Sequence, residues 1–187
     1  TVVDLVTDHT LTAASVRLTP GGDGIEEPAE LRRADGSSVY EVAGSTLFTS
    51  EQILAAEARL VEAAGITDRH RANPDAVEMA LVEQAANGIT LNPGQAALVI
   101  QMATSGARLQ LAIAPAGAGK TTAMRALTAA WVADGGTVLG LAPSAAAAAV
   151  LREQTGATTD TLAKLTWSIS HGDLPDWAEA IGPRTLV

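Results

Sequence analysis

A glycine-rich stretch at residues 114–121 constrains the fold of this 187-residue chain more than any other feature. An apolar run at residues 108–114 precedes it, and a helical pattern with Met124, Leu127 and Trp131 on one face follows it. The order of buried strand, glycine-rich turn and amphipathic helix is typical of proteins with parallel sheets. The sequence therefore predicts a parallel α/β fold around this stretch.

The glycine-rich stretch has the residue types that a phosphate-binding loop requires. It ends in Gly119-Lys120-Thr121, although Ala114 stands where that pattern usually has glycine. Glycines at 117 and 119 let backbone N–H groups turn inward around an anion, and the following helix points its positive amino end at it. We expect Lys120 to reach the β- and γ-phosphates of a nucleotide and the Thr121 hydroxyl to bind Mg²⁺. The alternative is a glycine-rich turn whose lysine is simply solvated.

Strand and helix signals alternate through the rest of the second half. The pair Asn92-Pro93 predicts the start of a helix, because asparagine is a good N-cap and proline fits the first helical position. A second buried strand is predicted at residues 137–141, and Ser144 caps the helix that follows it. This alternation favours a parallel sheet covered by helices.

The first half predicts a β-rich segment followed by helices. Strand-like runs occupy residues 2–6 and 15–18, and Asp-Gly at 35–36 is typical of the tight turn of a hairpin, here over residues 31–42. Ser50 predicts the N-cap of a helix that ends near Gly65, and a second helix is predicted from residue 74 to about 87.

The negative charge of the chain lies in its first half. The net charge is −9, and residues 1–90 hold 15 acidic and 6 basic residues, whereas residues 91–187 hold six of each. This asymmetry indicates two different units. It excludes the broad basic surface that is typical of nucleic-acid-binding proteins, although a local groove for a single strand remains compatible with it.

The composition excludes several kinds of site. The chain has no cysteine, which rules out disulfides, thiolate metal sites and cysteine nucleophiles. Its longest nearly apolar run, residues 138–151, is broken at Pro143 and is shorter than the roughly 18 residues that a membrane span needs. The three histidines lack the spacing of metal ligands. We expect no membrane association, no histidine metal site and a cytoplasmic location.

Three segments resemble motifs of superfamily 1 DNA helicases of the RecD-like branch. Residues 115–122 and 140–144 are similar to two motifs of that family, and residues 91–95 resemble its adenine-recognition motif. More specifically, the chain resembles the ATPase/helicase region of MobF-type conjugative relaxases. Residues 31–40 and 48–50 are similar to the module that precedes the helicase core in those proteins.

The resemblance implies a fold and a domain organisation. The fold is α/β, a partial RecA-like P-loop NTPase lobe of parallel sheet and helices preceded by a small β-rich plus helical module. The domains implied are a β-rich upstream module at 1–48, a helical segment linking it to the core at 49–90, and the N-terminal part of the lobe at 91–187. The helicase resemblance itself covers roughly residues 88–187.

The resemblance also implies a site for ATP and Mg²⁺. Gln95 would contact the adenine, which is favoured over the alternative that it is only an exposed residue in the first turn of a helix. Lys120 and Thr121 would be catalytic, because they stabilise charge on the transferring phosphoryl group. The residues that would hold the phosphates, with Mg²⁺ on the Thr121 hydroxyl, are Ala116, Gly117, Ala118, Gly119, Lys120, Thr121 and Thr122.

Single-stranded DNA is the partner that the resemblance implies. Pro143 and Ser144 match the motif that touches the strand's backbone, and Thr161 lies where the next contacting segment falls. Ser144 also caps its helix whether or not DNA is present, and a threonine such as Thr161 is more often a structural residue than a DNA contact. Trp167 and Trp177 are either core residues, which is the favoured interpretation, or platforms on which bases stack.

One motif of the family is missing from the sequence. Residues 183–187 resemble the start of a Walker B strand, but no Asp-Glu pair follows them, and the family's arginine finger is absent too. We expect a helicase fragment, truncated before Walker B, that binds nucleotide weakly and hydrolyses essentially none. We also expect it to need the missing C-terminal part of its parent and to self-associate through an exposed sheet edge.

Two other functions remain open. In one, residues 1–90 form an accessory module that binds protein or DNA, and the phosphate loop is incidental. In the other, the chain is a different P-loop NTPase, such as a small-molecule kinase. Gln95 and the Pro143-Ser144 pair argue against the kinase, because such an enzyme needs no strand-contacting segment after its second strand.

Overall fold

A computed structural model describes the chain over residues 1–18, 28–34, 36, 38, 47–115 and 117–187. The chain divides into two compact units, Thr1–Glu62 and Ala63–Val187. Ala116 of the predicted phosphate loop and most of the predicted hairpin at 31–42 lie outside the described residues.

The first unit combines helices with a two-stranded sheet. Strand β1 pairs with β2 antiparallel, with Val16 opposite Thr49, which confirms the predicted strand at 15–18. Ser50 caps the next helix as predicted, because its Oγ accepts a hydrogen bond from the Ile53 N–H at 3.2 Å. The elements are α1 (Val2–Ala13), β1 (Val16–Arg17), a 3₁₀ turn (Ala29–Leu31), β2 (Phe48–Thr49) and α2 (Glu51–Ala64), which crosses the division between the units.

The strand predicted at residues 2–6 is wrong, because these residues belong to α1. The Thr1 side chain accepts from the Asp4 N–H, and the Asp4 carboxylate accepts from the Thr1 amino group and hydroxyl at 2.7 and 2.6 Å. This reciprocal capping box stabilises a helix start, and a short apolar run by itself fits helix or strand equally well.

The second unit has a parallel sheet with helices packed on it. The strand order is β4-β3-β5, and both strand pairs are parallel, which confirms the predicted α/β fold and fits a partial RecA-like P-loop lobe. No helix among the described residues is long and apolar enough to cross a membrane. The elements are α3 (Pro74–Ala86), α4 (Pro93–Thr104), α5 (Lys120–Ala133), β3 (Thr137–Ala142), α6 (Ala145–Thr155), β4 (Thr158–Thr161), α7 (Leu162–His171), α8 (Asp176–Glu179) and β5 (Thr185–Leu186).

The core of this unit forms where α3 and α4 pack against α5. Val77 and Val99 are its largest fully buried side chains. The face of α5 that meets them carries small residues, which let the helix backbones approach closely; these are Ala123, Ala126 and Ala130. Trp131, also buried, donates its indole N–H to the Arg184 carbonyl at 2.9 Å and so ties α5 to the start of β5.

A carboxylate network closes the carboxyl end of α5. Asp134 caps this end, and its carboxylate accepts from His70 Nε2 at 2.7 Å, from the Asn73 N–H at 3.0 Å and from Arg184 at 3.1 Å. The Asn73 N–H and His70 hydrogen bonds hold the pKa of Asp134 below its usual range. Two separate segments of the chain, residues 70–73 and the one that contains Arg184, are therefore fixed to one helix end.

The buried strand predicted at residues 108–114 is also wrong. The segment forms no strand, and Leu111 and Ile113 are 81 % and 93 % exposed. A strand needs a neighbour that takes up its backbone N–H and C=O groups, and no described strand pairs with this segment. Apolar composition alone therefore does not produce the element here.

Candidate functional site

The predicted phosphate loop runs into the amino end of α5. Gly117 and Gly119 both have φ of +76°, a conformation that glycine adopts without strain. Gly119 is the N-cap residue, and no side chain in the described part of the chain accepts a hydrogen bond from the N–H groups at this helix end. The first N–H groups of a 14-residue helix are thus left without a side-chain cap, and such groups attract an anion.

Lys120 places its positive charge against the loop that precedes it. Its Nζ donates to the Ala114 carbonyl at 2.8 Å and to the Pro115 carbonyl at 2.9 Å, and the side chain is exposed. An ammonium group has three protons, and these two contacts use two of them. The lysine is therefore held at the loop in a position from which it can also donate to an anion.

Gln95 is brought to the same loop from α4. Its backbone N–H and side-chain Oε1 form a capping box with Asn92, with both hydrogen bonds at 2.9 Å. Its Nε2 donates to the Ala118 carbonyl at 2.9 Å. The site thus includes a contact between Gln95 and the phosphate loop that sequence spacing gives no means of finding, while the predicted contact with adenine remains a prediction.

Two clefts flank Thr121, which is half-buried at the first turn of α5. The polar cleft, of about 440 Å³, is lined by Gly88, Ile89, Thr90, Thr121, Thr122, Arg125 and Gln154. The second, of about 410 Å³, lies between α5 and α6. Arg125 is a residue that the sequence prediction missed, although its position four residues after Thr121 puts both on one helix face.

The predicted DNA-contacting residues lie at one edge of the sheet. Ala142 is opposite Thr161 in the β3–β4 pair, so Pro143, Ser144 and Thr161 all stand at the carboxyl ends of neighbouring parallel strands. Ser144 Oγ accepts from the Ala147 N–H and Thr161 Oγ1 from the Lys164 N–H, each at 3.2 Å. Both hydroxyls therefore act as helix caps, and their contact with DNA remains a prediction.

Aromatic and charged side chains continue from this edge along α7. Trp167 stacks on His171 with ring centroids 4.2 Å apart and is 55 % exposed. The favoured interpretation of Trp167 as a core residue is therefore wrong. Lys164 lies 5.7 Å from the Trp177 ring centroid and donates to Asp160 at 2.8 Å. That hydrogen bond is the main reason that the pKa of Asp160 lies below its ordinary value.

The chemistry around Thr121 fits a metal ion that arrives with a phosphate ligand. Over the described ranges no group of three or more His, Cys, Asp or Glu side chains could hold a metal, and neither cleft beside Thr121 is lined by a carboxylate. Mg²⁺ keeps several waters and is commonly held by few protein ligands together with substrate phosphates. The Thr121 hydroxyl is the protein ligand that this site offers.

A comparison with models of known protein families finds one match. A family model described as an AAA domain matches residues 90–187, slightly more than half of the chain. The matched region includes Gln95, the phosphate loop and all three strands of the parallel sheet. No curated protein and no solved structure matches the chain. The match supports a P-loop region that binds nucleotide and is helicase-like.

Proposed function

The chain belongs to the AAA domain family through residues 90–187, and we propose on that premise that it is the nucleotide-binding part of an ATP-dependent DNA helicase or translocase. One observation carries the proposal. At the amino end of α5 none of the described side chains caps the helix, two glycines have φ of +76°, and Lys120 stands beside them. These features together suit the triphosphate of a nucleotide.

Each residue of the loop has a distinct role in this proposal. The backbone N–H groups near Gly117 and Gly119 donate to the phosphate oxygens, and the helix end adds partial positive charge. The Lys120 ammonium group donates a hydrogen bond to the terminal phosphates through its remaining N–H, and further ones through the N–H groups released from the Ala114 and Pro115 carbonyls. Thr121 supplies a hydroxyl ligand to Mg²⁺, whose chemistry when bound is to neutralise charge that develops on the phosphates.

We further propose that single-stranded DNA binds at the edge defined by Pro143, Ser144 and Thr161. Two helix amino ends begin there side by side, those of α6 and α7, and such ends favour phosphate. In the intact motor, ATP binding and hydrolysis between two lobes would drive stepping along the strand. On the similarity of residues 31–40 and 48–50, we assign the motor to the conjugative relaxase-helicase type, acting in the cytoplasm.

Calorimetry of the full chain with Mg²⁺ and a non-hydrolysable ATP analogue tests the nucleotide site. We expect saturable binding that Lys120→Ala weakens by about ten- to a hundredfold, because a charge-assisted hydrogen-bonding group is lost. Lys164→Ala is the matched control, since it removes the chain's other lysine and should change the affinity by less than about twofold. An equal loss in both variants, or no binding by the wild type, would contradict the proposal.

The DNA site is tested with a single-stranded oligonucleotide at two salt concentrations. We expect affinity that falls as salt rises, because phosphate contacts release counterions. Ser144→Gly should weaken this binding while leaving nucleotide affinity unchanged, since glycine retains most of the stability of a helix N-cap. Binding that is insensitive to both salt and Ser144→Gly would count against a DNA site at this edge.

A further inference from the structure

We propose that Gln95 is a positioning residue that braces the phosphate loop from α4, and that nucleotide affinity depends on this brace whichever base the nucleotide carries. The inference rests on the proposed function of the loop. It concerns the contact between the Gln95 side-chain amide and the Ala118 carbonyl, which links two segments 23 residues apart. In this role Gln95 acts on the phosphates through the loop, without touching the base.

Each end of the Gln95 side-chain amide already has a backbone partner. Its Oε1 accepts from the Asn92 N–H at 2.9 Å, and its Nε2 donates to the Ala118 carbonyl at 2.9 Å, with the Gly119 carbonyl 3.5 Å away. Reading an adenine with both ends of a side-chain amide requires one donor and one acceptor aimed at the same base edge. Here the two ends are directed to the backbone of α4 and to the loop.

The amide also packs tightly on the residue that begins α5. A Cβ added at Gly119 would meet Gln95 Nε2, so a larger residue here would displace the Gln95 amide, and the φ of +76° favours glycine independently. Gln95 is half-buried in this contact. The Gln95 amide therefore occupies the space beside Gly119 that a side chain at this position would take.

The platform that carries the brace is fixed by the core. α4 buries Val99 and Ala103 completely, and both belong to the same hydrophobic cluster as Ala123 and Ala126 of α5. Asn92 caps α4 and orients the Gln95 side chain through the capping box. The position of Nε2 is thus set by helix packing, and the brace transmits that position to the loop.

The brace orients one peptide unit of the loop. The Ala118 carbonyl and the Gly119 N–H belong to the same planar trans peptide, so they point in opposite directions. When Gln95 holds the carbonyl, the Gly119 N–H is directed away from Gln95. Loss of the brace frees this peptide to rotate, and a preorganised phosphate donor is lost for any nucleotide.

The test compares three ligands that share a triphosphate group: two carry different bases and the third has none. Mg²⁺ complexes of ATP, GTP and inorganic tripolyphosphate are titrated into the wild type and Gln95→Ala. We expect the variant to lose about three- to tenfold in affinity for each ligand, the fold-change that one hydrogen bond corresponds to, with similar losses for all three. A loss confined to ATP would overturn the brace and assign Gln95 to the adenine, and no loss for any ligand would overturn it as well.

Amide hydrogen exchange, measured without nucleotide, is a second test. Loss of the α4 cap alone should not change the exchange rates of the loop. Gln95→Ala and Gln95→Glu should both speed exchange at the amides of Gly119 and Lys120, since a carboxylate keeps the capping acceptor but cannot donate to the Ala118 carbonyl. Asn92→Ala removes the side-chain acceptor of the cap but keeps the backbone N–H that holds Gln95 Oε1, so it should leave these rates unchanged. Acceleration in all three variants, or in none, would overturn the brace. If the wild type binds none of the three ligands, the proposed function fails instead.

Discussion

The long helices of the second unit begin in two different ways. Four of them begin at a side chain that accepts a hydrogen bond from the helix's own first turn; the residues are Asn73, Asn92, Ser144 and Thr161. α5 begins at Gly119, which has no side chain and is contacted from outside by Gln95. Four helix ends are thus stabilised by their own caps, and the fifth keeps its first N–H groups available to an anion.

The two ends of α5 also differ in how far side chains hold them. Its carboxyl end is held by Asp134, which joins His70, Asn73 and Arg184 in one network. Its amino end has Lys120 and two glycines in place of such a network. A helix fixed at one end and open at the other can present its amino end to a ligand without losing its place in the core.

The largest loss of nucleotide affinity is expected from a substitution that obstructs the uncapped amino end of α5. Gly119→Ala puts a Cβ on a residue with φ of +76° and against the Gln95 amide, and the left-handed strain alone costs about 1–2 kcal/mol. We expect nucleotide affinity to fall by about thirtyfold or more, measured by calorimetry with the non-hydrolysable analogue.

Gly156→Ala is the control for this substitution. Gly156 has φ of +73° at the carboxyl end of α6, and a Cβ there meets nothing within 4 Å. It should lower the melting temperature through similar strain and leave nucleotide affinity intact. Equal losses of affinity in the two variants would show that left-handed strain, and not the open helix end, explains the result.

A medium effect is expected at a capped end. Ser144→Ala removes the acceptor for the Ala147 N–H and should cost about 1 kcal/mol of stability in a denaturant titration, without changing nucleotide affinity. Loss of nucleotide binding in this variant, with stability unchanged, would remove the distinction between the capped ends and the end of α5.

The smallest effect is expected from lowering the pH, which acts on Asp134 at the carboxyl end of α5. Because hydrogen bonds lower the pKa of Asp134 in the folded state, its contribution to stability is full above the unfolded value of about 3.9 and is lost as pH falls through the folded pKa. We expect thermal stability to decline below about pH 4.

Asp134→Asn separates this contribution from that of other carboxylates. Asp68 also titrates in the acid range, because the hydrogen bond from Arg108 lowers its pKa to about 2. The Asp134→Asn variant should be less stable at neutral pH and should show a shallower decline in melting temperature below about pH 4. A decline as steep as that of the wild type would show that Asp134 does not contribute to it.

Much of the second unit could be predicted because its signals are local. The caps at Asn92 and Ser144 and the glycines of the phosphate loop depend on backbone geometry within a few residues, and each lies where the sequence predicts it. The parallel sheet follows from the alternation of strand and helix patterns.

The remaining elements depend on partners that a local pattern does not contain. β4 has the sequence Thr-Thr-Asp-Thr, and its buried residue, Thr159, is satisfied by hydrogen bonds with the Ala148 carbonyl and the Arg152 guanidinium. The segment at 108–114 has an apolar pattern but no pairing neighbour among the described strands. The contact of Gln95 with Ala118 arises from the packing of α4 on α5.

Amide chemical shifts of the full chain would test the difference between the helix ends most directly. Mg²⁺ and the non-hydrolysable ATP analogue are added, and the first-turn amides of α5 are compared with those of α6 and α7. We predict large shift changes at Gly119, Lys120 and Thr121 and small ones at Ala145–Ala147 and Leu162–Lys164. Changes of equal size at all three helix ends, or changes confined to α6 and α7, would contradict the account.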